Sequence, residues 1–129
     1  MFTQQNRDEL ESKGVTVVKG VISEEDCDKH QQFFRDWLSN FPQGQWPQTI
    51  NSLIQRYRSG HLQSAWEVRV GAKPVFAQIW KTEKLLSSMD AIAIGRPPEE
   101  SEEKFWTDSD CWLHVDQSAD RVGLHAYQV

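Results

Sequence analysis

The stretch Trp112-Leu113-His114-Val115-Asp116-Gln117-Ser118 decides the predicted fold, because its residues alternate between apolar and polar as they do in a half-buried β-strand. Side chains two positions apart in a strand point to the same face. His114 and Asp116 are therefore expected on one face, with Leu113 and Val115 on the other. We take His114 and Asp116 as the candidate metal ligands of the chain.

An imidazole and a carboxylate on one strand face make two members of the 2-His-1-carboxylate triad, which binds Fe(II) in non-haem oxygenases. The third member would be a histidine from a later strand. His125 is the only histidine in the thirteen residues after Asp116, and a hairpin would be needed to bring it near. A short His-x-Asp motif also arises by chance, as a surface histidine beside a solvated aspartate. Spacing alone leaves both interpretations open.

The composition limits the classes of protein to which the chain can belong. At 129 residues it is expected to form one domain, residues 1–129. The net charge of −5 leaves no basic stripe for phosphates, so nucleic acid is not an expected partner. No apolar run reaches the length of a membrane span. The polar opening Met1 to Gly14 lacks the pattern of a secretory signal, and Cys27 and Cys111 do not make a disulfide framework, so a cytoplasmic setting is expected.

Hydrophobic periodicity predicts a first long helix that begins at Ser23. An acidic residue three positions later, Asp26, is typical of such a start. The residues that follow at steps of three and four form one helical stripe: Cys27, His30, Phe34, Trp37, Leu38 and Phe41. Cys27 and His30 lie one turn apart, but a zinc site needs two further ligands, so Cys27 is expected in the core and His30 is expected to be partly buried.

The remaining pattern predicts helices first and strands afterwards. Further helices are expected over residues 61–70 and from Pro74 onward. Strands are expected over residues 15–18, 89–94 and 124–129, in addition to the strand that carries His114. This order is typical of an α+β fold.

Several segments, taken in order, resemble the phytanoyl-CoA dioxygenase-like proteins. Gly14-Val15-Thr16-Val17-Val18-Lys19-Gly20-Val21-Ile22-Ser23-Glu24-Glu25 is similar to the opening strand and acidic first helix of that family. Leu113-His114-Val115-Asp116-Gln117 falls where the family has its His-x-Asp iron motif. The resemblance covers residues 14–129. Its other matching segments are residues 66–69, 74–80, 85–90 and 123–129.

The resemblance implies an oxygenase in which N-terminal helices pack on a double-stranded β-helix, or jelly roll. It implies Fe(II) and 2-oxoglutarate as cofactors, His114 and Asp116 as iron ligands, and hydroxylation of a small organic substrate of unspecified identity. Gln117 and Tyr127 would be candidates to line the pocket. The distal histidine of the family, and the arginine that anchors 2-oxoglutarate, lie in its C-terminal half, so this chain corresponds to the N-terminal part and the first half of the jelly roll.

Half a jelly roll also has consequences for partners. It leaves strand edges unpaired, so self-association or pairing with a complementary C-terminal half is expected. The alternative function is a non-catalytic binding or interaction module, or a remnant, on the same fold.

Overall fold

We analysed a computed structural model of the chain, which describes residues 1–42, 45–47, 49, 52–89, 91–95, 99 and 116–128. The chain divides into two compact units, Met1–Arg96 and Pro97–Val129. The regular elements are, in chain order, α1 (Gln4–Lys13), α2 (Glu24–Ser39), β1 (Leu53–Ile54), a 3-10 turn (Ser59–His61), α3 (Gln63–Trp80) and β2 (Ile92–Ala93).

Among the residues described, no helix is both long and apolar enough to cross a membrane. The jelly roll stays a prediction, as does the single domain.

Helix α1 forms in the polar opening of the chain, where periodicity predicted no element. Thr3 caps its start: the Thr3 side chain accepts from the Asn6 N–H, and the Asn6 side chain accepts from the Thr3 N–H. Gly14 ends the helix in the left-handed conformation, with φ 73°, and its N–H donates to the Leu10 carbonyl. Both ends are therefore satisfied by local bonds, and no residue of α1 is buried.

The strand predicted over residues 15–18 is wrong, because this segment hydrogen-bonds to α1 and not to a neighbouring strand. The Asn6 amide donates to the Thr16 hydroxyl over 2.9 Å and to the Val17 carbonyl over 3.2 Å. Thr16 in turn donates to the Glu9 carboxylate over 2.6 Å. Val15 and Val17 are exposed. A β-branched run becomes a strand only where a partner strand pairs with it.

Helix α2 begins where the sequence predicted. The Ser23 hydroxyl accepts from the Asp26 N–H over 3.0 Å and donates to the Asp26 carboxylate over 2.7 Å. The stripe is partly confirmed: His30 is buried, and Phe34, Trp37, Leu38 and Phe41 are half-buried. Cys27 is exposed, so its assignment to the core is wrong.

Helix α3 is one continuous helix, whereas the sequence predicted a break before Pro74. Pro74 lies inside it and removes one backbone donor, which bends or weakens a helix without always ending it. The helix packs closely on the segment that leads into α2. A Cβ added at Gly71 would lie 2.8 Å from the Ile22 Cδ1 atom, so a larger residue here would require the Ile22 side chain to shift.

The sheet has two short antiparallel strands. Leu53 pairs with Ala93 and Ile54 with Ile92, so the strand predicted over residues 89–94 is confirmed in its centre. Ile54 is fully buried, and the buried Ser59 hydroxyl donates to its carbonyl.

Arg69 of α3 ties the sheet to the 3-10 turn. Its guanidinium donates to the Gly60 carbonyl over 2.8 Å and to the Ala91 carbonyl over 3.2 Å. One side chain therefore joins helix, turn and the approach to β2 in the first unit.

Candidate functional site

The second unit contains the candidate metal ligand that the structure describes. Asp116 lies in a bend and is exposed. The Gln128 side-chain amide donates to its Oδ2 atom over 3.1 Å. In the structure the predicted strand does not include Asp116, and His114 lies outside the described residues, so the approach of His114 to Asp116 stays a prediction.

Gln117, the residue after Asp116, organises the loop that follows. Its Nε2 atom donates to the Arg121 carbonyl over 2.8 Å and to the Gly123 carbonyl over 2.7 Å. Its Oε1 atom accepts from the His125 N–H over 3.2 Å. All three polar functions of this side chain are therefore used within the loop, which was not expected of a residue predicted to line a pocket.

The loop itself contains a tight turn. The Arg121 N–H donates to the Ser118 carbonyl over 3.0 Å, and Gly123 adopts a φ of 97°, a conformation in which L side chains are strained. The turn therefore spans residues 118–121. Residues 124–128 form no strand, so the final strand is wrong in this part.

His125 uses one ring nitrogen within the same loop. Its Nε2 atom lies 3.0 Å from the Val122 carbonyl, which can only accept, so this nitrogen carries the proton. The part of the chain that the structure describes holds no group of three or more His, Cys, Asp or Glu side chains that could bind a metal. The exposed carboxylate of Asp116 is a possible metal ligand of the kind found in a facial triad.

A polar cluster between α2 and α3 has no counterpart in the sequence predictions. The buried His30 places its Nδ1 atom 3.1 Å from the Ser64 hydroxyl and 3.8 Å from the Glu67 carboxylate. Lys29 donates to the same carboxylate over 2.8 Å. The cluster borders a cleft of about 300 Å³, whose walls are formed by Val21, Ile22, Ser23, Asp26, His30, Glu67 and Gly71.

The Ser64–His30 pair resembles a hydroxyl nucleophile beside its base, but burial argues against that role. Ser64 is 2% exposed, so a substrate carbonyl has no access to its hydroxyl. The pair is better explained as a satisfied buried hydrogen bond that holds α2 against α3. No sequence signal joins these residues, because 34 positions separate His30 from Ser64.

Electrostatics strengthen the contact between α2 and α3. The Lys29 ammonium, followed by the Gln63 amide, holds the pKa of the Glu67 carboxyl below its usual range. The same hydrogen bond raises the pKa of Lys29. Each charge is therefore stabilised by its partner, and the pair links the two helices.

Replacing Glu67 with glutamine is expected to lower the melting temperature at neutral pH and to have less effect in acid. The pKa of Glu67 is lower in the folded than in the unfolded chain, so its contribution is present above the unfolded value and is lost as the pH falls through the folded one. Thermal unfolding of wild type and Glu67→Gln from pH 7 to pH 3 measures this. Glu11→Gln, an exposed change on α1, is the control, and a Glu67→Gln deficit that is constant with pH would contradict the prediction.

Comparison with known proteins shows similarity to a curated fungal protein. Over 138 aligned residues the chain is 30% identical to "Ava biosynthesis cluster protein O" of Aspergillus versicolor. The match covers 95% of this chain and 42% of that protein, so the chain spans less than half the length of the curated relative it matches. No protein-family model matches the chain, and no solved structure matches it.

Proposed function

We propose that the chain is the N-terminal part of a tailoring oxygenase of secondary metabolism, dependent on Fe(II) and 2-oxoglutarate and of the phytanoyl-CoA dioxygenase-like type. The observation that carries the proposal is the similarity to a biosynthesis-cluster protein over 95% of the chain. The resemblance of residues 14–129 to the phytanoyl-CoA dioxygenase-like proteins supports the choice of oxidation with Fe(II) and 2-oxoglutarate as the reaction class. The substrate would be a small organic molecule.

In this proposal the chain supplies two of the three protein ligands. His114 and Asp116 would hold the iron, and the exposed carboxylate of Asp116 has suitable chemistry. When bound, iron and 2-oxoglutarate would supply the oxidation of a substrate C–H bond. The distal histidine and the carboxylate-binding arginine would come from a C-terminal half, on this or a complementary chain. The matched relative has room for such a half, because the match covers 42% of it.

A non-catalytic interaction module is the second candidate. Large apolar side chains are exposed in both units, including Leu86 and Val122, which are more than 90% exposed. A partner chain, or a second copy, would cover such side chains. The two candidates differ in metal binding, because the oxygenase requires Fe(II) and the interaction module does not.

The test is an anaerobic Fe(II) titration of the wild type and three variants, with and without 2-oxoglutarate. We expect weak binding by the wild type, because two protein ligands leave the other coordination positions to water. We expect His114→Ala and Asp116→Ala to weaken binding about tenfold or more, since each removes one ligand. His61→Ala removes an exposed histidine of the first unit and should change nothing.

The outcomes decide between the two candidates. Equal affinity in the wild type, His114→Ala and Asp116→Ala would overturn the oxygenase proposal and favour the module. Succinate release from 2-oxoglutarate provides the second readout. It should be slow or absent for the chain alone, because the arginine that would hold the co-substrate carboxylate by paired hydrogen bonds belongs to the C-terminal half.

A further inference from the structure

We propose that Gln117 and Gln128 are positioning residues for the Asp116 carboxylate, one acting through the backbone and the other on the carboxylate itself. The inference rests on the proposed function, because it concerns how Asp116 is presented to a metal. It is drawn from the hydrogen bonds of the loop over residues 116–128. Neither glutamine is assigned as a ligand.

Gln117 fixes the backbone from which Asp116 projects. Its side chain binds two carbonyls and one N–H within the eight residues that follow it. Each of these bonds restricts the Gln117 backbone, and the peptide plane shared with Asp116 is restricted with it. Restriction that is present before a metal arrives favours binding, because the backbone entropy of this residue is then not lost on binding.

Gln128 acts on the orientation of the carboxylate. The terminal torsion of aspartate is broad, so an unrestrained carboxylate samples many orientations. The amide of Gln128 donates to Oδ2 over 3.1 Å and favours one of them. Carboxylates that ligate metals are commonly held by such outer hydrogen bonds.

A glutamine amide suits this role because it is a neutral donor. A lysine or arginine at position 128 would donate equally well but would place a positive charge beside the metal position. The amide orients the carboxylate and leaves its negative charge for the cation. The orientation of the Asp116 carboxylate therefore depends both on the length of the Gln128 side chain and on its lack of charge.

The two glutamines depend on the same closed loop. Gln128 is 12 positions beyond Asp116 and contacts it because the chain turns back between them. Gln117 holds that turn at Arg121, Gly123 and His125. Loss of Gln117 is therefore expected to loosen both the Asp116 backbone and the approach of Gln128.

The experiment replaces each glutamine with leucine, which has a similar volume and no hydrogen-bonding group. Mn(II) serves as an air-stable probe of the site, and its free concentration is read by electron paramagnetic resonance. Hydrogen exchange of the His125 amide in the metal-free chain is the second readout. Gln31→Leu, an exposed glutamine of α2, is the matched control, and Asp116→Ala reports whether the carboxylate binds the probe.

We expect Gln117→Leu and Gln128→Leu to weaken Mn(II) binding about tenfold, the lower end of the range for outer-sphere partners of a metal site. Gln117→Leu should also speed His125 amide exchange, because its Oε1 acceptor is gone. Gln128→Leu should leave that exchange unchanged. Gln31→Leu should alter neither.

Two other results would each overturn the inference, and they are distinguishable. If Asp116→Ala weakens binding and the two glutamine variants do not, the glutamines have only a structural role and the proposed function stands. If Asp116→Ala leaves Mn(II) affinity unchanged, the proposed function and the inference both fail. If Gln117→Leu speeds His125 amide exchange but leaves the Mn(II) affinity unchanged, Gln117 has only a structural role.

Discussion

Truncating Ile54 to alanine is expected to destabilise the first unit more than truncating any of the half-buried apolar side chains of α2. Ile54 is 0% exposed and lies in β1, where it pairs with Ile92. Removing a buried isoleucine to its Cβ loses transfer free energy and leaves a cavity, for a total of about 2–5 kcal/mol. The change should lower the melting temperature on the order of 10 °C.

The matched control is Leu86→Ala, which removes a side chain of the same size from an exposed position. It should change the free energy of unfolding by less than about 0.5 kcal/mol. Chemical denaturation of both variants, monitored by tryptophan fluorescence, compares them directly. Equal stabilities for Ile54→Ala and Leu86→Ala would show that β1 does not lie over the core.

Replacing Arg69 with methionine is expected to have the second largest effect. The variant keeps the aliphatic length but leaves the Gly60 and Ala91 carbonyls without their guanidinium donors. Gly60 is buried, and an unsatisfied buried carbonyl costs about 1–3 kcal/mol. With the partly buried Ala91 carbonyl, the total should be about 2–4 kcal/mol.

Two further variants test this explanation of Arg69. Arg69→Lys has a single ammonium in place of the planar fork, so it should recover only part of the loss. Arg35→Met removes an exposed arginine from α2 and should be close to neutral. Amide exchange in β2 should rise in Arg69→Met before the whole unit unfolds. Full recovery by Arg69→Lys would mean that the charge matters and the two-carbonyl geometry does not.

The elements that the sequence predicted well are those whose signals are local. Helix α2 has a cap at Ser23 and a stripe of large apolar residues, and both are visible within one window. Helix α1 has its caps, Thr3 with Asn6 and then Gly14, but buries no residue. A search based on hydrophobic periodicity therefore misses it, and a search for capping residues would find it.

The sequence predictions fail where a distant partner decides the structure. The β-branched segment Val15 to Val18 has strand propensity, but Asn6 supplies its hydrogen bonds. Pro74 predicts a helix boundary, although α3 continues through it. The predicted strand over residues 89–94 is correct at its centre because Ile92 and Ala93 find partners in β1.

In the candidate site, too, the local signal could be predicted from the sequence and the distant contacts could not. Asp116 follows from the His-x-Asp spacing, which can be seen within three residues. The hydrogen bonds of Gln117 and Gln128 could not be predicted, because the backbone path of the loop decides which carbonyls and carboxylates an amide reaches. The cluster of His30, Ser64 and Glu67 was equally hidden, since its members come from two helices.

The long separation in sequence between β1 and β2 predicts an order for the folding reaction. Leu53 meets Ala93 about 40 residues later, and the chain between them contains the 3-10 turn and α3. Closing so long a connection in an extended chain is entropically unfavourable, whereas a helix forms from neighbouring residues. Once the 18 residues of α3 are helical, they span only about 27 Å, and the strands start closer together. We therefore expect the sheet to form after α3, and the rate of pairing between β1 and β2 to depend on the formation of this helix.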